Sequence, residues 1–423
     1  MKKVFIIIIA VILALLCSCS PAQDNKTPPS DDANRLISTD SIQYNGWRGF
    51  VSDADYVIAS QYLGFDGVAK INISTGNITD VCLQPGCGHS RVIFENLGEH
   101  CYIPEGSSLL FVVDHTVYYK YTVTAFDEKQ LETEGTVKPS HTQIFACYDL
   151  TTGKHREIIS IKNTEFETMY NFVYHNGYIY YTRYIANSPN PSKKDDFSYS
   201  LCRMKIKEYE QQVLFAFSNE FPANVVHDPL AIDGGRIYFT ANETGQLYSC
   251  NLDGTDLRFL LDGDKDNRGI FDSYGTFFCN GYIYYASYVS ETDPSVTESD
   301  ALYLNRVNCS TGEVKRLTED YIKWLFVSDE HIYYELSSVQ PGKAAQGDTG
   351  VHKIKQMTHD CVMQAEWEVL AENVRLAQVW GAGDCLYFKA NYRKDTGTSS
   401  MLDIYTIRLN ISDGKLAEIG RTK

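Results

Sequence analysis

Basic charge is what this sequence has least of for its size. Its 38 Lys and Arg stand against 54 Asp and Glu, a formal net charge of −16. Nucleic acid needs Lys and Arg to neutralise its phosphates, so this balance argues against that partner. An acidic surface of this kind serves solubility. Long apolar runs are lacking too. Val4 to Leu16 is the one extended run, and it falls short of the about 20 apolar residues a membrane-spanning helix takes. Catalytic signatures are also missing. The chain has no Gly-x-Ser-x-Gly nucleophile elbow and no series of sialidase Asp-boxes. These absences lower the case for turnover against the case for binding.

Aromatic residues, by contrast, are plentiful: 30 tyrosines, and 13% aromatics overall. They recur in a pattern. Asn176-Gly177-Tyr178-Ile179-Tyr180-Tyr181 is a two-residue turn followed by an apolar-aromatic strand. Asn-Gly supplies the positive φ angles of a type I′ hairpin turn, and the residues after it suit a buried, pleated strand. Asn280 to Tyr285 repeats the pattern, and Gly234 to Phe239, Asp329 to Tyr334, Gly383 to Phe388 and Asp114 to Tyr119 vary it. Ala54 to Ile58 is the most worn copy. The anchors Val57, Val117, Ile179, Ile237, Ile283, Ile332 and Leu386 lie 46 to 62 residues apart. A period near 40–50 residues is the mark of a propeller or another repeat architecture.

The N-terminus reads as a targeting segment. Lys2-Lys3 precedes the apolar run, and Leu16-Cys17-Ser18-Cys19 follows it. That string resembles the bacterial lipobox, which implies cleavage before Cys19 and acylation of its thiol. Ser20 to Asn34 is rich in Pro, Ser, Asp and Asn and has no apolar pattern. It cannot bury enough surface to fold, so it reads as a tether. The expected organisation is a signal peptide over 1–18, an acylated cysteine and flexible tether over 19–43, and one β domain over 44–423. The expected location is the extracytoplasmic side of the cell membrane, held by the lipid.

One repeat shows the unit. Gly275 to Cys279 is a first strand and Tyr282 to Tyr288 a second. A polar link leads to a third strand at Ala301 to Val307, and Glu313 to Leu317 is a fourth. Four antiparallel strands make one propeller blade. Glycine turns follow the third strands at Ser74-Thr75-Gly76, Thr151-Thr152-Gly153, Asp253-Gly254-Thr255, Ser310-Thr311-Gly312 and Ser412-Asp413-Gly414. The expected fold is all-β, a seven-bladed β-propeller. Six blades are the alternative if the first copy is decoration, eight if residues 35–50 hide another. Over roughly residues 44–421 the pattern resembles TolB-like and YWTD-type propellers. It is most similar to lipid-anchored bacterial propellers grouped with domains of unknown function. The Thr-Gly turns also resemble those of quinone-cofactor propellers, but the Trp that ends the quinone motif is absent. The resemblance implies a fold and leaves activity open.

Links between strands alternate between the two ends of a blade. First-to-second and third-to-fourth turns are short here. Second-to-third links are long, at 122–143, 185–199, 289–300, 337–350 and 393–401. Loops held by a rigid scaffold carry function, so the long-link face is the expected binding face. Arg183, Tyr184, Tyr288, Tyr392 and Arg393, just past the second strands, are the expected contacts with an extracytoplasmic ligand or protein partner. A carbohydrate-active hydrolase or lyase is the alternative. It would use carboxylates at the channel mouth, Asp228 and Asp272, where His227, Asp320, Lys323 and Arg375 also precede first strands. A cell-envelope assembly scaffold is the third reading.

Two further clusters bear on cofactors. Cys82, Cys87, His89 and Cys101 could close a structural zinc site, form a disulfide, or remain free thiols. Similar Cys-Pro-Cys-His strings occur in the lipoprotein propellers that this chain resembles. Asp262, Asp264 and Asp266 resemble the opening of a calcium loop, but Ser273 stands where a bidentate Glu is wanted. Cys147, Cys202, Cys250, Cys279, Cys309, Cys361 and Cys385 read as buried structural thiols.

Overall fold

The computed structural model describes residues 41–43, 50–60, 68–81, 103–104, 107–125, 140–162, 167–186, 197–217, 226–241, 246–261, 276–289, 301–341, 351–370, 374–395 and 400–421. Their elements with defined bounds are strands. A short strand, β1 (Ser41–Gln43), comes first. Then come β2–β5 (Phe50–Ser52, Tyr56–Ser60, Val68–Asn72, Ile78–Asp80) and β6–β9 (Ser108–Val113, Thr116–Ala125, Ser140–Asp149, His155–Lys162). Next are β10–β13 (Glu167–His175, Tyr178–Ala186, Phe197–Lys205, Gln211–Phe217) and β14–β17 (Val226–Asp233, Arg236–Ala241, Gln246–Asn251, Arg258–Leu261). β18–β21 (Thr276–Cys279, Tyr282–Tyr288, Leu302–Asn308, Val314–Arg316) and β22–β25 (Ile322–Val327, His331–Leu336, Val351–Thr358, Met363–Leu370) follow. β26–β29 (Val374–Ala382, Cys385–Asp395, Ser400–Asn410, Leu416–Arg421) end the order. Within each group of four, sequence neighbours are antiparallel sheet neighbours. The pair Leu302 and Ile322 joins β18–β25 into one eight-stranded sheet.

The repeat read from sequence is a repeat of burial. Val57, Val117, Ile179, Ile237, Ile283, Ile332 and Leu386 are all 0% exposed. Successive side chains on a strand point to opposite faces. Ile179 and Tyr181 pack with Phe111, Phe145 and Phe172 on one side, while Tyr180 packs with Ile237 and Tyr248 on the other. Phe145 and Phe172 stack across that boundary, with ring centroids 5.1 Å apart. Each first strand touches the next in the order β2, β6, β10, β14, β18, β22, β26, and β26 touches β2. At that last junction the Trp380 indole N–H donates to Ser52 Oγ at 3.0 Å, and Arg408 donates to the Ile73 carbonyl at 3.0 Å. Third-strand arginines make the same reach elsewhere: Arg203 to the Leu252 carbonyl at 3.2 Å and Arg306 to the His359 carbonyl at 2.6 Å.

The turns follow their chemistry. Asn176 and Gly177 have φ of 48° and 81°, and Asn280 and Gly281 have 52° and 76°, as a type I′ turn requires. Gly254 and Gly312 combine positive φ with close approach. A Cβ at Gly254 would lie 2.7 Å from the Leu214 carbonyl oxygen, and one at Gly312 would lie 2.5 Å from that of Leu260. Glycine there lets one sheet's turn rest on the preceding sheet's outer strand.

Some links read as loops are partly ladder. Pairing of β7 with β8 runs out to Ala125 and Ser140, and that of β27 with β28 to Asp395 and Ser400. The bases of these links are therefore extended antiparallel arms. Ser41–Gln43, read as the end of a tether, is paired with β10. Cys147, Cys202, Cys250, Cys279, Cys309 and Cys385 are buried free thiols, while Cys361 is half-buried.

Two measurements test this packing. Ile179→Ala or Ile283→Ala should cost about 2–5 kcal/mol in a denaturant titration; a loss under about 0.5 kcal/mol is what an exposed site gives and would refute the packing. The second concerns pH. Burial pushes Cys202 up to about 11, and Cys250, Cys279 and Cys309 up to about 12. Below pH 9 these thiols are neutral in both states. Above it the unfolded chain ionises while the folded chain keeps its protons. Their contribution is full below pH 9 and is lost as pH rises towards 12, at about 1.4 kcal/mol per thiol per pH unit. Lys389, pushed down to about 8 by burial, opposes this with a single group from pH 8 upward. Buried tyrosines such as Tyr119, Tyr284 and Tyr387, also raised by burial, add to the loss as pH approaches 10. Stability under reducing conditions should therefore be lower at pH 10 than at pH 8 by at least about 3 kcal/mol, and equal values would contradict the assignment.

Candidate functional site

The ladder between first and second strands slips at five places among the described residues. The slips lie between Leu109 and Phe111, Tyr170 and Val173, His227 and Ala231, Ile322 and Leu325, and Ala377 and Val379. A bulge re-aims side chains and sharpens twist, and such bulges gather beside functional sites. In β22 the slip sets Lys323 and Trp324 together opposite Glu335 of β23. Both reach it. The Trp324 indole N–H donates to Glu335 Oε2 at 2.6 Å, and Lys323 Nζ lies 3.4 Å from Oε1. His352, near the start of β24, adds its Nδ1 at 2.6 Å from Oε1.

This cluster is built into the fold. Glu335 is 1% exposed and His352 is 3% exposed. A buried carboxylate persists only with donors around it, and Glu335 has three. The contact with Glu335 engages Nδ1 and fixes the orientation of the ring. Its Nε2 is buried and has no hydrogen-bond partner. A carboxylate-oriented imidazole with its second nitrogen free can accept a proton or a ligand hydroxyl, or give one bond to a metal. No group of residues that could hold a metal ion occurs among the described residues. Glu335 and His352 sit at the two ends of the link 337–350, so the cluster lies at the long-link end of its sheet.

The signal for Glu335 in the sequence is its place, three residues after the anchor Ile332. The same step from Leu386 leads to Lys389, and from Ile179 to Thr182. Lys389 and Thr182 are likewise buried, and Thr182 Oγ1 donates to the Tyr170 carbonyl at 3.0 Å. A charged residue inside an otherwise apolar-aromatic strand marks the position. His352 carries no such local mark.

The expected site residues distribute as follows. Arg183 and Tyr184 lie near the long-link end of β11. Arg183 bonds Glu167 at 2.8 Å through Nε and 2.6 Å through Nη2. Tyr184 lies between Tyr170 and Tyr199, with centroids at 5.7 and 6.1 Å, and burial raises its hydroxyl pKa. The structure thus brings Arg183 and Tyr184 onto one strand, each partnered within its own sheet. Tyr288 ends β19, and Tyr392 and Arg393 lie in β27, paired with Asp403 and Leu402. His227, Asp228, Lys323 and Arg375 fall inside first strands, not before them. Asp228 stands in the β14 bulge beside Pro229, a residue that the ladder tolerates because the bulge frees its partner. Asp320, just ahead of β22, accepts from Lys355 at 2.9 Å. Asp272, the Cys82, Cys87, His89 and Cys101 cluster, the Asp262, Asp264 and Asp266 run, and Cys19 lie outside the described residues.

Removing the centre of the Glu335 cluster tests its weight. Glu335→Ala strands an indole N–H, an imidazole N–H and an ammonium, and should cost about 3–5 kcal/mol. Asp413→Ala, which removes an exposed pair with Lys415 and a turn bond from the Lys415 backbone N–H, should cost far less. Equal losses in urea titrations would show that the cluster carries no special weight.

No protein-family model and no curated protein matches the sequence. Among solved structures the chain is similar to an oligogalacturonate lyase from Vibrio parahaemolyticus, at 11% identity and a TM-score of 0.45, covering 88% of this chain and 92% of that one. It is similar to a putative TolB from Agrobacterium tumefaciens, at 12% identity and a TM-score of 0.35, covering 67% and 88%. An acylaminoacyl peptidase from Pyrococcus horikoshii gives 10% identity and a TM-score of 0.47, covering 90% of this chain and 54% of that one. Similarities of this size leave ligand and activity to be argued from the residues themselves.

Proposed function

We propose that this chain is a lipid-anchored, extracytoplasmic seven-bladed propeller that binds a ligand or protein partner through its long-link face. The observation that carries the reading is an asymmetry between the two ends of the sheets. One end has tight turns such as Asn176-Gly177 and Asn280-Gly281. The other has the extended arms of β7, β8, β27 and β28, the tilted, clustered tyrosines around Tyr184, and the Glu335 cluster with its unpartnered imidazole nitrogen. Polar groups held rigidly next to aromatic surface are what a binding site is made from. The return of β26 to β2 supports closure after seven groups of four. Arg183, Tyr184, Tyr288, Tyr392 and Arg393 are the contacts assigned to the partner, and Cys19 is assigned to the lipid.

The test has two parts. In the native host, Cys19→Ala should lose the mass of the acyl chains and leave the membrane fraction; unchanged mass and retention would remove the anchor. The full-length protein, screened against an array of plant and bacterial polysaccharides and against an envelope extract, should retain a partner whose hydrogen-exchange footprint covers Tyr184. Tyr184→Ala should weaken that partner about ten-fold or more, the scale of a buried aromatic contact. A footprint on the Asn176 and Asn280 turns would overturn the assigned face. Release of product from a polysaccharide, abolished by Asp228→Asn or Asp272→Asn, would replace binding with turnover.

A further inference from the structure

Lys323, Trp324, Glu335 and His352 converge on one carboxyl group. The slip between Ile322 and Leu325 puts two consecutive residues of β22 opposite Glu335, where a regular ladder would put one. Lys323 Nζ lies 3.4 Å from Glu335 Oε1. His352 Nδ1 lies 2.6 Å from the same oxygen, and the Trp324 indole N–H donates to Oε2 at 2.6 Å. The oxygen nearest the amine therefore carries the imidazole, while the other is held by a fixed donor. Glu335, His352 and Trp324 are all buried. The indole is locked in place, its ring centroid 5.1 Å from that of Phe388 in β27. Lys323 comes in from the rim, with 23% of its side chain exposed.

We propose that Lys323 and Glu335 join in an amide bond, a cross-link between β22 and β23 that the cluster itself makes. An amine, a carboxyl carbon, an oxyanion donor and a proton carrier are the parts that amide formation needs. In the contact the ammonium passes one proton to Oε1, which leaves a neutral amine and a neutral carboxyl. Burial favours this transfer, because charges are costly away from water. Nζ then attacks the carboxyl carbon, and the negative charge that gathers on Oε2 meets the Trp324 N–H. A second proton travels from Nζ to Oε1 through His352 Nδ1, and the imidazole ends as it began. His352 Nε2 has no hydrogen-bond partner, so no bond at that nitrogen has to break as the proton passes. Oε1 leaves as water with two of the three ammonium hydrogens. The third stays on the amide nitrogen, and no other reactant is consumed. A neutral amide replaces a buried ion pair, and its carbonyl still accepts from Trp324. Exclusion of water works against the reverse hydrolysis. Lys355 and Asp320 lie closer, at 2.9 Å, but the Asp320 side chain is 33% exposed, so that pair stays ionic. The cross-link needs neither ligand nor lipid, and it stands or falls apart from the long-link face proposed above.

The experiment is mass spectrometry of the purified full-length protein, denatured and digested. Wild type should yield one branched peptide that joins the segments containing Lys323 and Glu335, lighter than their sum by one water. Lys355 and Asp320 should come off on unlinked peptides. Lys323→Arg should abolish the branched peptide. Trp324→Phe keeps a ring and removes the donor, and should slow cross-linking about 10²–10³-fold, the usual cost of one oxyanion donor. His352→Gln should slow it about 10²-fold or more. Unlinked Lys323 and Glu335 peptides from wild type after prolonged incubation would overturn the proposal. A cross-link that forms undiminished in both Trp324→Phe and His352→Gln would overturn the part given to the cluster. Should the variants fail to fold, the wild-type digest decides alone.

Discussion

Tyr180 and Tyr181 are neighbours on one strand, point to opposite faces, and are both buried. That pairing is the constraint on which everything else rests. A sheet with two apolar faces cannot cover itself, so each group of four strands needs one neighbour before it and another after it. The short turns, the glycines pressed against the preceding sheet's outer strand, and the arginines that reach into the following turn all serve that stacking. Gly254 against Leu214 and Arg203 to Leu252 are two sides of the same boundary. The constraint also explains why so many tyrosine hydroxyls have raised pKa values. Their rings are committed to the sheet interfaces, and burial disfavours the phenolate at Tyr119, Tyr284 and Tyr387.

Against that apolar background the Glu335 cluster stands out energetically. A carboxylate between sheets is tolerated only because an indole, an imidazole and an ammonium converge on it. The bulge at Lys323-Trp324 makes this convergence possible, since an unbroken ladder would set only one of the two residues opposite Glu335. The same local irregularity therefore shapes the first strand and furnishes its polar site. His352 completes the set from the third strand, and its position beside the link 337–350 ties the site to the face where the links are longest.

Much of the fold was legible because it is periodic. The anchors, the Asn-Gly turns, the glycine turns and most of the buried thiols lie in local strings, and each string states its own geometry. The site was less legible for the converse reason. Glu335 and His352 meet across a strand pair, and only the register between β23 and β24 brings them together. Asp228 is expected ahead of its strand, whereas a bulge admits it, with Pro229, into β14. β1 falls within 19–43, expected as tether on the composition of Ser20 to Asn34. Its partner, His175, is far along the chain, and backbone pairing at that separation leaves no trace in composition.

The contacts between the first and last groups have a consequence for how the chain comes to be folded. Ser52 bonds Trp380, and Ile73 bonds Arg408, across separations of 328 and 335 residues. Phe50, Val57 and Ile71 are covered by Trp380, Ala382 and Tyr387. During synthesis β2–β5 emerge more than 300 residues ahead of the residues that cover this face, given the separations of 328 and 335. For nearly the whole of translation one apolar side of β2–β5 has nothing of its own to bury against. A nascent chain in that condition carries apolar surface open to wrong association. The sheet β26–β29 then completes the shelter of the first.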